Sequence, residues 1–155
     1  MAMNDGDRQI LDHFDRTREQ TIELARWTSE DLLARTADGE DHPLAWVFLH
    51  VADGVDWWMH HVMRDGGPWR PGYGRDKDSV VAALGASRDR LVSFFDADDG
   101  RPMGRTFTFD DGHEDTPRWV GRDRVLYLTD HEIHHRGKIV LALRQWGLTD
   151  YPTLL

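Results

Sequence analysis

Apolar residues recur at helical spacing in four long stretches of the chain. The first runs from about Asp7 to Trp27, with Ile10, Leu11, Phe14, Thr17, Thr21, Leu24 and Ala25 on one side of a 3.6-residue period. The second begins with Asp41 or His42 as its cap and Pro43 at the first helical position, where the missing N–H costs nothing, and reaches about Arg64. Its apolar residues, from Leu44, Trp46 and Val47 to Val62 and Met63, fill more than one stripe, which predicts burial on two sides. The third is capped near Asp78 or Ser79 and continues to about Phe95, weakened slightly by Gly85. The fourth spans about Arg122 to Trp146 and is closed by Gly147 as the residue after its cap.

Between these stretches lie polar, Gly- and Pro-rich connections. Ser29 to Arg35 predicts one short extra turn, and Thr36 to Asp41 and Asp65 to Gly74 read as loops. The segment from Asp96 to Arg118 is long and rich in Gly, Asp and Pro. One alternating piece within it, Thr106-Phe107-Thr108-Phe109, predicts a short strand, and a loop of this length in a small domain is commonly either disordered or functional. Four amphipathic helices predict an all-α four-helix bundle, one domain across residues 1–155.

Composition narrows what such a bundle does. With no cysteine, neither a disulfide nor a thiolate metal site exists, so a transition metal must be held by His and carboxylates. A net charge of −9 argues against nucleic-acid binding, because no basic patch stands out to release counterions. No run of 18 apolar residues predicts a membrane span, and the N-terminal residues lack the basic and apolar regions of a signal peptide, so the expectation is a cytoplasmic protein. Seven Trp in 155 residues predict a core, pocket or subunit contact made of large flat side chains.

The chemistry sits in the last helix. His131 and His135 are four residues apart in Asp130-His-Glu-Ile-His-His-Arg-Gly-Lys138, a spacing that puts two imidazoles on one helical face about 5–6 Å apart. Two nitrogens so placed can share one transition metal, without choosing among zinc, nickel, copper and iron. A third ligand is needed. His50 lies mid-helix between Leu49 and Val51, where a lone His is costly unless partnered, and a second helix facing the fourth brings three nitrogens together. His60 and His61 compete, but His61 is eleven residues on, about 16 Å along the axis, so the two positions cannot serve one ion. His13, His42, His113 and His134 read as surface or capping residues. Three neutral imidazoles without a fourth protein ligand leave an open coordination position, the mark of a reactive site. Ala142, in line with the pair, predicts room beside the ion, and Leu126, Ile133, Val140 and Leu143 make the opposite face apolar, for burial between helices or against a second subunit.

His131-Glu132-Ile133-His134-His135 also satisfies His-Glu-x-x-His, the zinc-protease pattern with Glu as general base, but no His-x-x-Gly-x-x-His continuation and no later Glu follow. Asp53, Asp56 and Glu132 are candidates to orient the imidazoles; by helical angle Asp53 and Glu132 are poorly aimed, and all three read as ordinary solvated acids. Arg118, Arg122 and Arg136 are candidates to hold a carboxylate. No catalytic base is singled out.

Three pieces together resemble the DinB/YfiT-like superfamily of metalloenzymes: His131-x-x-x-His135-Arg136-Gly137-Lys138, similar to that family's His-x-x-x-His-Arg-Gly-Gln signature; Leu49-His50-Val51-Ala52-Asp53 with Trp57-Trp58 following; and the order and length of four helices over almost the whole chain. Lys138 departs from the usual Gln. The resemblance implies an up-down-down-up four-helix bundle, commonly a homodimer, with a divalent metal, zinc or nickel, at His50, His131 and His135. It also implies, through relatives that are transferases and isomerases, a low-molecular-weight thiol (bacillithiol, mycothiol or glutathione) acting on a small molecule. Two readings stay open: a metal-dependent thiol S-transferase, and a non-catalytic, stress-related metal- or ligand-binding bundle. A zinc hydrolase is the remote third.

Overall fold

The computed structural model describes residues 3–67, 69, 72–109 and 118–152. Helix α1 spans Asp5–Trp27, α2 Glu30–Leu33, α3 Leu44–Trp58, α4 Lys77–Asp96, α5 Arg101–Gly104 and α6 Gly121–Gln145. A wide π turn, Met59–Met63, extends α3, and a 3-10 turn, Ala97–Gly100, follows α4. The only strands among the described residues, β1 (Thr106–Thr108) and β2 (Arg118–Val120), pair antiparallel with Phe107 opposite Trp119. The chain is thus mostly helical, and the alternating Thr/Phe piece does form a strand. Residues 110–117, including His113, lie outside the described residues.

Local chemistry explains the boundaries. Asn4 caps α1 by accepting the Asp7 N–H, and Asp76 caps α4 by accepting the Ser79 N–H at 2.9 Å, two residues before the expected Asp78. Pro43 sits at the α3 cap with extended backbone (ψ 158°), not at the first helical position as expected. It clamps there against Thr36 in an isolated bridge, with Leu44 N–H donating to the Arg35 carbonyl. At the other end of α3 the π turn brings Met59, Val62 and Met63 into the core before Arg64 breaks it with left-handed backbone (φ 50°). The α6 terminus is a Schellman motif: Gly147 (φ 79°) donates to the Arg144 carbonyl and Leu148 to the Leu143 carbonyl. The start of α6 needs Gly121 for space, since a Cβ there would lie 2.2 Å from the Pro102 carbonyl oxygen.

α1 packs on α4 and α6, and α3 packs on the same two helices. Contacts between Asp7 and Arg122 and between Arg18 and Glu132 advance together, so α1 and α6 run in the same direction. Arg8–Asp96 and Arg88–Asp15 run oppositely, so α1 and α4 are antiparallel. Arg18 reaches both the Val51 and Leu84 carbonyls, and Asp56 meets Arg90, so α3 and α4 advance together, joined by the long connection after Arg64. One apolar cluster centres on Phe48, Leu84 and Leu143, the other on Phe14, Met59, Phe95 and Leu128. None of the seven Trp is fully buried; six are half-buried at the rims of these clusters, and Trp69 lies against His60 and His61.

Candidate metal centre

α3 and α6 cross where each presents imidazoles. One ring nitrogen each of His50, His131 and His135 falls within 4.8 Å of the others. The ring centroids are 5.1 Å apart for His50–His131, 4.7 Å for His50–His135 and 4.5 Å for His131–His135. Helical spacing brings the last two together; His50 arrives only because α3 lies against α6. The sequence-expected trio therefore meets. His60 and His61 do not join it. His60 Nδ1 donates to the Gly67 carbonyl at 2.9 Å, and His61 packs between Trp57 and Trp69. His13, His42 and His134 are exposed, as expected.

The three rings are half-buried rather than sealed in the core. Trp46 stacks on His50 with 9° between planes, Tyr127 stacks at 6.2 Å on His131, and Gly54 faces His131 without a side chain. Burial lowers the pKa of all three imidazoles, and their mutual proximity adds to it for His131 and His135; His135 falls to about 4. Lys138, whose ammonium bonds Glu40 at 3.3 Å, and His42 add positive charge near His50. Each ring is thus neutral at pH 7, with a lone pair to give. His135 Nδ1 is buried and has no hydrogen-bond partner. Three neutral imidazoles, an orphaned ring nitrogen and no competing carboxylate bridge suit a divalent transition metal.

The neighbouring charges correct several expectations. Glu132 is not a solvated acid: it is fully buried, and both its oxygens accept from Arg18 Nε at 3.0 and 2.9 Å. Arg18, equally buried, also donates to the Leu84 carbonyl and to Ser87. This pair ties α1, α4 and α6 together, and a carboxylate so consumed is no general base, which removes the physical basis of the zinc-protease pattern. The buried face of α6 is Leu128, Glu132, Arg136, Ile139 and Leu143, so Leu143 is core while Leu126 and Ile133 are exposed. Ala142 is buried in the core cluster.

Asp56 is likewise buried, held by Arg90 and the Tyr73 hydroxyl. Asp53 is half-buried, its pKa raised by desolvation, and it makes no hydrogen bond to the imidazoles. Arg136 is structural: it donates to the Thr17 carbonyl and to Gln20, pinning α6 to α1. Arg122 pairs with Asp7 at 3.4 Å, and Arg118 is exposed in β2. Sequence reasoning missed Arg18 and Arg124. For Arg18 the available signal was a charged residue inside the apolar stripe of α1, between Thr17 and Thr21.

Comparison with known families matches the DinB superfamily over residues 13–139, more than half of the chain, a span that includes all three imidazoles. No curated protein matches it. The chain belongs to the DinB superfamily.

Proposed function

We propose that this member of the DinB superfamily is a metal-binding four-helix bundle, up-down-down-up across the chain, in which His50, His131 and His135 hold one divalent transition metal, zinc or nickel. We further propose that the site serves as a metal-dependent thiol S-transferase, joining a low-molecular-weight thiol to a small electrophile. The bundle reading draws on the helix directions traced by the ion pairs above. The metal reading rests on one observation: three neutral imidazole nitrogens within 4.8 Å of one another. A metal held by these three imidazoles would supply a Lewis acid able to lower the pKa of a thiol or water. The chain itself contributes orientation: Trp46 and Tyr127 brace the outer rings, Arg18 and Arg136 fix the rotation of α6, and Gly54 leaves space. No cysteine of the protein can act as nucleophile, so the sulfur must arrive with a second molecule. The thiol proton passes to solvent, and a carbon–sulfur bond forms as the electrophile's leaving group departs.

Cobalt-loaded protein titrated with bacillithiol, mycothiol or glutathione should develop a sulfur-to-metal charge-transfer band and conjugate chlorodinitrobenzene. If none of the thiols alters the spectrum, the transferase reading fails. The non-catalytic reading then stands, and one feature already favours it: no acid among the described residues bonds the imidazoles.

A homodimer is the assembly we propose. Leu126, Ile133 and Leu141, 39%, 40% and 58% exposed, lie along the outer side of α6 and give a second copy an apolar surface to cover. Sedimentation equilibrium at micromolar concentration should return twice the 18.0 kDa chain mass; a monomer excludes this assembly. No helix among the described residues is long and apolar enough to cross a membrane.

A further inference from the structure

The stripe of α6 that carries His131 and His135 continues toward the helix start and meets Arg124. Seven residues turn the helix by about 700°, within about 20° of two full turns, so Arg124 and His131 share a face roughly 10 Å apart along the axis. Arg124 is only 7% exposed, and its Nε is buried without a hydrogen-bond partner. Its guanidinium carbon lies 4.0 Å from the ring centre of Trp58, 4.5 Å from Trp119 and 4.5 Å from Tyr127. Among the described residues no carboxylate pairs with it, although the chain has 28 acidic residues.

Aromatic faces offset part of the desolvation of a cation, but they offer little to its in-plane N–H donors. A buried donor left without an acceptor costs free energy that a bound anion recovers. Tyr127 links the two ends of the stripe, with Arg124 4.5 Å from its ring centre and His131 stacked on it at 16°. Gly54 of α3, opposite His131, places no side chain in the way.

We propose that Arg124 is an anion subsite that takes the carboxylate of the small molecule whose opposite end reaches the three imidazoles. The far end of this assignment rests on the three-His reading of the preceding subsection. A planar carboxylate matches the guanidinium fork in a way a lone ammonium could not. A single positive charge beside Asp123, in a chain of net charge −9, suits a monoanion rather than a phosphate dianion. Trp58, Trp119 and Tyr127 then frame the carboxylate and specify what precedes it: an apolar or aromatic spacer.

The test compares para-(mercaptomethyl)benzoate with its neutral benzamide, followed by tryptophan fluorescence, which Trp58 and Trp119 report directly. Cobalt-loaded wild-type protein should bind the benzoate about tenfold or more tightly than the benzamide. Arg124→Gln should erase that difference while leaving benzamide affinity and the cobalt spectrum unchanged, and Arg124→Lys should keep part of it. Equal affinities in the wild type, or an undiminished preference in Arg124→Gln, overturn the proposal. Should wild-type protein take up no cobalt, the three-His reading falls on its own. Benzoate against benzamide in the metal-free protein then decides Arg124 separately: a preference supports the subsite, and its absence overturns it.

Discussion

His50→Ala, His131→Ala and His135→Ala each lose stoichiometric zinc or nickel, while His60→Ala and His61→Ala keep it. Deleting an outer-shell partner of a metal site typically weakens binding 10–100-fold, and losing one of only three ligands should cost at least about a hundredfold. Metal content after dialysis, measured on the five variants beside the wild type, checks this. Full occupancy in His50→Ala would remove α3 from the site. The pH dependence has a definite sign. Protons compete with metal for the same lone pairs, and burial holds all three imidazoles below the ordinary 6.5, His135 at about 4. Metal should therefore stay bound at pH values where an exposed His cluster has released it. In the metal-free protein the unfolded chain protonates first as pH falls through 6.5. The stability held by neutral His135 is thus complete above 6.5 and lost progressively toward about 4. Thermal melts across that window should fall with decreasing pH, and less steeply in His135→Ala.

Glu132→Ala produces the largest loss of stability expected of any single change near the site. It strands the fully buried Arg18 guanidinium among Phe14, Ser87 and the Leu84 carbonyl. Removing one partner of a buried ion pair costs about 3–5 kcal/mol, which at this chain length lowers the melting temperature by on the order of 10 °C. The double change Arg18→Met with Glu132→Leu should recover much of that loss, because both charges leave together and the volume stays filled. If the double variant still binds metal, Glu132 is confirmed as a structural group. Metal binding lost in a well-folded double variant would instead show that the pair positions the imidazoles directly.

The four long helices, most of their ends and the candidate ligands were legible in the sequence because each is a local property. A 3.6-residue period, a capping side chain, a Gly after the last turn and an i, i+4 histidine pair all declare themselves within a few residues. Thus α6 ends at the Schellman turn of Gly147, and His131 faces the same way as His135, whatever surrounds them. His50 was reachable only because an apolar helix makes a polar ring conspicuous.

What the sequence could not decide is which side of a mostly apolar helix faces inward. α6 has apolar residues nearly all round, so its sequence left the face of Leu126, Ile133, Val140 and Leu143 to lie between helices or against a second subunit, and Glu132 read as a solvated acid. Packing against α1 buries Glu132, since Arg18 supplies from 114 residues away the partner that makes a buried carboxylate tolerable. The same holds for Arg136, committed to the Thr17 carbonyl, and for Arg124, enclosed by rings from α3, β2 and α6. Charge pairing between helices depends on long-range contacts that no window of sequence contains. Tertiary structure alone separated Arg18 and Arg136, which hold helices together, from Arg124, whose Nε is buried without a hydrogen-bond partner.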